Sequence, residues 1–282
     1  MAVFQALIDI TNKVSNYEDS KELLLKKLDK FLVTFKSNEL RLTKKQKQYH
    51  DYDEIILLID FAKDLWDEII LPKIKKDDKC GIILGKMLGR FLMQTKETLF
   101  LLSNNVGLSA ISNVRLFMES FAITKYILDK GDNEAKRFMD FGYYQQLLDR
   151  KLPLTPELIN EYGEKIPDNS FYYIPYGWCS EEKMNGTKLI ERLKSPILLD
   201  YYRLTCNYIH ASPYSLIEIS NAEDHFFPIP YAFLIRITRR CLFNFIKLVL
   251  SYTMSEEEQQ PYLILISMLS PELFNNEESE NV

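Results

Sequence analysis

Leu108-Ser-Ala-Ile-Ser-Asn-Val-Arg-Leu-Phe-Met-Glu-Ser-Phe-Ala-Ile-Thr-Lys-Tyr-Ile-Leu128 is the stretch that decides the fold of this chain. Val114, Phe117, Met118, Phe121, Ile123 and Ile127 recur at spacings that return to one side of a helix. Lys130-Gly131 closes it, because glycine accepts the backbone conformation with which helices commonly end. Arg115 and Glu119 sit at i and i+4 among these apolar residues, so they must pair with each other or reach a polar cavity.

Immediately upstream, Cys80 to Ser103 carries Ile83, Met87, Phe91, Met93 and Leu99 over about six helical turns. Asn104-Asn105 and Gly107 then break the pattern. The break is too short to carry the chain back along the bundle, so the two helices should lie antiparallel at its centre. Further out, Leu24, Leu25, Leu28, Phe31, Leu32 and Phe35 mark one amphipathic helix over Ser20–Lys36. The lysine-rich connector Lys44–His50 leads to a second, from about Asp53 to Ile70, ended by Pro72. Asp132 or Asn133 is expected to cap a helix running to about Leu148, and Thr155-Pro156 to start a short one. Ser195-Pro196 should open a helix ended by Pro213. Long and short helices near Pro230–Tyr252 and Pro261–Leu269 complete the pattern.

Only 9 glycines and 11 prolines in 282 residues leave too few turn formers for an all-β fold, so the chain reads as all-α, a multi-helix bundle. An N-terminal helical hairpin (1–75) is expected to pack on a helical core (76–272), with an acidic tail (273–282) beyond it. No internal repeat is apparent. The prolines at 153, 156, 167 and 175 punctuate a segment holding Phe171, Tyr172, Tyr173, Tyr176 and Trp178, which is too aromatic for a free linker. Tyr173, Trp178 and Tyr202 are therefore candidates for the wall of a cleft.

The net charge of −5 excludes a protein that attracts nucleic acid by overall charge, though a local basic patch such as Arg236, Arg239 and Arg240 remains compatible with it. Usually such a cluster is a solvated face. Cys80, Cys179, Cys206 and Cys241 are far apart with no CxxC pair, which argues against a structural zinc site and against a disulfide framework. His50 and His225 have no ligand partner at useful spacing, so no metal is expected. There is no P-loop, GxGxxG or GxSxG, and no cofactor is expected. The N-terminus lacks the basic start and small-residue cleavage site of a secretory signal, and the apolar runs at Leu99–Leu102 and Leu242–Leu250 are too short or interrupted to span a bilayer. A cytoplasmic protein without membrane contact is the expectation.

The chemistry concentrates in Asp200-Tyr-Tyr-Arg-Leu-Thr-Cys-Asn-Tyr-Ile-His-Ala-Ser-Pro213, which holds one of only three histidines. Arg203, Asn207 and His210 share one face, with Arg203 and His210 roughly 10 Å apart along the axis. Such a stripe suits a phosphodiester: arginine neutralises the phosphoryl charge, asparagine orients it, and histidine moves the proton. RNA cleaved through its own 2′-hydroxyl would need no metal. Glu119 could orient His210 or Arg203 across the bundle, making Arg115 and Glu119 supporting residues. Against this stands a non-catalytic ligand-binding, sensor or interaction protein, in which the Arg, Glu and His residues are only a structural polar network.

Two stretches, Ser109–Tyr126 and Trp178 through Tyr202-Arg-Leu-Thr-Cys-Asn-Tyr-Ile-His210, resemble a family of uncharacterised bacterial helical proteins known only as a domain of unknown function. The likeness rests on an arginine-then-glutamate helix and on tryptophan, tyrosine and histidine landmarks, over roughly residues 80 to 250. The six residues between Arg203 and His210 also resemble the Arg-x(4–6)-His motif of the HEPN superfamily, although Leu204 stands where a polar residue is common. That resemblance implies a HEPN-like core and a metal-independent ribonuclease of a toxin or antiphage defence system. It further implies Arg203 and His210 as catalytic, Asn207 as accessory, a homodimer whose paired motifs form one cleft, RNA as substrate, and an antitoxin or other defence-system partner.

Overall fold

Asp78 begins the centre of the bundle. Its carboxylate accepts from the Gly81 N–H at 2.7 Å, capping the helix α2 that runs Lys79–Ser103. A computed structural model describes residues 50–104, 106–163, 176–210 and 231–269 of the chain. Among them the α-helices are α1 (His50–Leu65), α2, α3 (Gly107–Lys130), α4 (Asp132–Asp149), α5 (Pro156–Tyr162), α6 (Gly186–Glu191), α7 (Pro196–Ile209), α8 (Tyr231–Thr253) and α9 (Glu256–Leu269). The described residues contain no strand.

Gly107 does not merely end the preceding helix; it is the first residue of α3, only four positions after α2 stops. The chain must therefore double back, and side-chain contacts fix the register. Cys80 Sγ lies 4.0 Å from the Ile127 carbonyl at one end, while Asn113 Nδ2 donates to the Gln94 carbonyl at 2.8 Å nearer the other. Falling residue numbers on α3 thus meet rising ones on α2, which is the antiparallel pair expected from the sequence. α8 lies against both. Phe91 of α2 stacks between Phe117 of α3 and Phe245 of α8, with centroids 3.9 and 4.2 Å away. Each of these rings is fully enclosed, a burial worth about 1.5–3 kcal/mol apiece.

α1 packs against α8, α9 and α2, and its Ile55, Leu58 and Leu65 belong to the same buried core. It starts at His50, before the expected Asp53. Beyond Leu65 the helix widens into one π-helical turn, Trp66–Ile70, and then tightens into a 3₁₀ turn, Leu71–Lys73, that contains Pro72. The expected helix over Ser20–Lys36, the connector before His50, Tyr173 with the neighbouring aromatic residues 171–172, His225, Pro213 and the acidic tail lie outside the described residues.

Two helix starts differ from the sequence reading and one short helix escapes it, each for a local reason. Asp132 does not cap α4: Gly131, at φ 83°, occupies the cap position, and the Asp132 carboxylate instead accepts from the Cys80 N–H of α2 at 3.1 Å. Asp132 thus satisfies an N-terminal donor of another helix. Pro261 lies inside α9 rather than starting it, because Ser255 and Glu258 form a reciprocal cap that starts the helix at Glu256, five residues earlier than the apolar run suggests. The Ser255 N–H donates to Glu258 Oε2 at 2.8 Å, and the Glu258 N–H donates back to Ser255 Oγ at 3.4 Å. The six-residue α6 has too little periodicity to stand out in the sequence. Its cap is Asn185, whose side chain accepts from the Lys188 N–H at 2.9 Å.

α4 holds the aromatic segment before α6. Buried Glu134 accepts from the Ser180 N–H at 2.7 Å, and Arg137 Nε donates to the Trp178 carbonyl at 3.1 Å. Trp178 is only 3% exposed, set edge-on to Phe138 at 4.9 Å and to Tyr126 at 5.8 Å. Its ring is a core anchor, not the wall of an open cleft; the apolar body of tryptophan gains more from α3 and α4 than from water.

Candidate functional site

α7 owes its start to Ser195, whose hydroxyl accepts from the Leu198 N–H at 3.5 Å, and to Pro196 at the first helical position. Leu198, Tyr201, Tyr202, Thr205 and Tyr208 are buried, and they define the inward face. That choice leaves Arg203, Asn207 and His210 outward. All three are exposed.

His210 is the C-cap of α7, with its N–H donating to the Cys206 carbonyl at 3.1 Å and its backbone already out of the helix at φ −91°, ψ 16°. Arg203 reaches Glu191 of α6 at 3.5 Å, with side chains 57% and 47% exposed. A pair so open to water holds the guanidinium only loosely. Arg203, Asn207 and His210 therefore form an accessible polar stripe at the C-terminal half of α7.

Arg115, Glu119 and Tyr202 are brought together elsewhere. Arg115 Nε donates to Glu119 Oε1 at 3.1 Å, Nη2 to the Tyr202 hydroxyl at 3.0 Å, and Nη1 to Cys206 Sγ at 2.8 Å. The Tyr202 hydroxyl donates in turn to Glu119 Oε1 at 2.6 Å. The arginine and glutamate side chains are only 18% and 20% exposed. Burial pushes the Tyr202 hydroxyl well above the usual phenol range, and its hydrogen bond to Glu119 pushes the same way. For Arg115 burial acts against the charge, but Tyr202, Cys206 and Glu119 outweigh it and the guanidinium is held more firmly protonated than usual. The cluster is a proton-locked strut between α3 and α7.

At about 100° of rotation per residue, Tyr202 and Cys206 lie roughly a quarter-turn around α7 from Arg203 and His210. Glu119 engages that inner edge, so its hydrogen bonds orient Tyr202 and Arg115 rather than the imidazole. Sequence reasoning had Arg115 and Glu119 but missed Tyr202 and Cys206 as their partners. One signal was available: both pairs are spaced by four, so each presents two polar groups one turn apart, at matching heights on facing helices.

The arginines of α8 do not form one solvated face. Arg236 is exposed, Arg240 is half-buried, and Arg239 is 3% exposed between them. Among the described residues no group of three His, Cys, Asp or Glu side chains could hold a metal ion. Nor is any described helix long and apolar enough to cross a membrane.

A family model matches residues 81–226, which is more than half of the 282 positions and takes in α2 through α7 with the Arg115 cluster and the Arg203–His210 stripe. The chain belongs to the DUF5677 family, a family of unknown function. The DUF5677 region thus contains both polar features, while α1, α8 and α9, which complete the core, lie outside it. No curated protein and no solved structure matches the chain.

Proposed function

We propose that this DUF5677 protein is a HEPN-like, metal-independent ribonuclease of a bacterial defence or toxin type, working in the cytoplasm as a homodimer. The observation that carries this reading is the exposure of Arg203, Asn207 and His210 on one face of α7, where an extended polyanion can reach all three. His210 takes the proton from a ribose 2′-hydroxyl, the freed oxygen attacks the adjacent phosphorus, and Arg203 neutralises the charge that builds on the phosphoryl oxygens. Asn207 orients the phosphodiester.

The α7 stripe has a single histidine, which serves as base or as acid, but cleavage needs both, so the leaving 5′-oxygen takes its proton from the partner subunit's His210. An apolar groove of about 590 Å³ on the outer face of α2 and α3, lined by Phe100 and Leu116 among others, supports pairing of two copies. Phe100 is 59% exposed and Leu116 44%, and an apolar surface of this kind is commonly covered in an assembly. An antitoxin or other defence-system partner would then act by covering the α7 stripe.

The test is cleavage of single-stranded RNA by purified protein in EDTA. His210→Ala and Arg203→Ala should each abolish it while leaving the melting temperature nearly unchanged; full activity of His210→Ala would sink the assignment. A second reading, a non-catalytic binding or sensor protein, is favoured by the Arg115–Glu119–Tyr202 cluster, whose groups are all engaged with one another. It predicts no cleavage by the wild type under any of these conditions.

A further inference from the structure

The α7 stripe and the α2/α3 groove belong to one continuous face. On α3, Asn113 and Ser120 meet α2, while Arg115 and Glu119 meet α7. At about 100° per residue, Leu116 and Ser112 fall between those two sets, on the side away from the buried Val114 and Phe117. On α7, Arg203 and His210 likewise follow the α3-facing Tyr202 and Cys206 on the side away from the buried Tyr201 and Thr205. The outer side of α3 is thus flanked by Glu97 and Phe100 on one hand and by His210 on the other.

Both neighbours run antiparallel to α3, and this fixes which residues lie level. Glu119 meets Tyr202 and Arg115 meets Cys206, so one turn further His210 comes level with Ile111 and Ser112. Asn113 meets Gln94 and Thr98, so Ser112 comes level with Glu97. One line across the three helices therefore passes Lys96 and Glu97, Ser112 and His210. Phe100 lies about one turn to one side of that line, and Leu116, on the oppositely directed α3, about one turn to the other.

A two-fold axis along this line makes the face complementary to itself. The rotation lays Phe100 over the partner's Leu116, sets Lys96 against the partner's Glu97, and brings His210 toward the partner's His210. Lys96 and Glu97 are exposed, and among the described residues their side chains have no ion pair or hydrogen bond, so both charges are available to a second copy. Three adjacent helices spaced about 8–10 Å apart, over about 25 Å of their length, offer about 700 Å² per copy, close to the ~800 Å² of a standard interface.

We propose that this face is the two-fold interface of a homodimer, held by Phe100 on the partner's Leu116 and by Lys96 on the partner's Glu97, with the axis running past His210 so that both imidazoles reach one substrate strand. The inference rests on the ribonuclease reading for the role of His210 and adds where the partner subunit sits.

The experiment is sedimentation equilibrium of the full-length chain without RNA. A dimer is expected. Lys96→Glu and Glu97→Lys should each weaken it at least about tenfold at low salt, because each turns two attractions into two repulsions. Mixed in equal amounts, the two variants should pair again at nearly wild-type affinity, since every acid then faces a base across the axis. Phe100→Asp should weaken the dimer about a hundredfold. Ile159→Asp, at an equally exposed apolar position on α5, should leave it intact. All these side chains are exposed, so unchanged melting of the variants separates lost pairing from lost folding. A wild type that is monomeric at about 0.1 mM overturns the proposal. So does a dimer indifferent to Phe100→Asp, or a mixture that fails to recover. Cleavage is read separately: a dimer that meets these tests but cuts no RNA leaves the interface standing and sinks the ribonuclease reading, whereas cleavage by a monomer overturns the interface alone.

Discussion

The Arg115 guanidinium donates to the Tyr202 hydroxyl at 3.0 Å and also lies over the same ring, 4.5 Å from its centroid. One side chain is thus held by both the polar tip and the apolar face of the other. Tyr202 is 2% exposed and also donates to Glu119, so its hydroxyl ties both members of the charged pair on α3 to the buried face of α7.

Removing that oxygen should be costly and cooperative. Tyr202→Phe is expected to lower stability by about 1–3 kcal/mol, the range for leaving buried partners unsatisfied. Chemical denaturation of Tyr202→Phe, Glu119→Gln and the double variant checks it. The two effects should fall short of adding, with a coupling of about 0.5–3 kcal/mol between contacting groups; simple additivity would show that the cluster does not act as a unit.

Gly186, the first residue of α6, lies so close beneath Tyr202 that a Cβ built there would overlap the hydroxyl oxygen. The hydroxyl has no freedom to move aside while Arg115 and Glu119 hold it. Gly186→Ala should therefore cost about 1–3 kcal/mol by overpacking, and in a Tyr202→Phe background it should cost clearly less. Equal losses in the two backgrounds, read as midpoints of urea unfolding, would place the strain elsewhere.

Acid should weaken the cap of α9. The Ser255 N–H and hydroxyl, and then Lys73, hold the Glu258 carboxyl below the usual carboxylate range. A group whose acidity is strengthened by folding stabilises above its unfolded pKa, about 4.3 for glutamate, and loses that contribution as pH falls through the lower folded value. The wild type should melt above Glu258→Gln at neutral pH, and the gap should close in the acid range below about pH 4. A gap that stays constant with pH would mean that the charge contributes nothing.

The four thiols should separate by reactivity. Burial, helped by the hydrogen bond and charge of Asp132, pushes Cys80 up to about 12, and burial pushes Cys179 up to about 11. Cys241, fully enclosed, is raised by burial as well. At pH 8 these three present almost no thiolate to an alkylating agent. Cys206 is half-buried and stands at the edge of α7. Iodoacetamide followed by peptide mapping should label Cys206 first in the native protein and all four after unfolding; rapid labelling of Cys80 would contradict the packing of α2 on α3.

Much of this fold is written in local patterns. The run from Val114 to Ile127 carries a helical period of its own, Gly131 ends that helix at φ 83°, and Thr155 and Ser195 cap the helices that Pro156 and Pro196 begin. Where a cap depends on a distant segment, the pattern misleads. Asp132 looks like the cap of its own helix but serves α2, 52 residues earlier, and Trp178 looks like a cleft wall until Phe138 and Tyr126 enclose it. In the site the same division holds: the order Arg203, Asn207, His210 predicts one shared face, whereas Arg115 finds Cys206 only across 91 residues of chain.

The sequence by itself determined the all-helical class, most helix boundaries and the co-facial order of Arg203, Asn207 and His210, because helical periodicity and caps depend on neighbours within a turn or two. Only the tertiary structure decided which face of α7 is buried, that Tyr202 and not His210 meets Glu119, and that the α2/α3 groove adjoins the α7 stripe. Those outcomes depend on which surfaces exclude water against each other, and that exclusion is settled by the packing of whole helices rather than by any spacing along one of them.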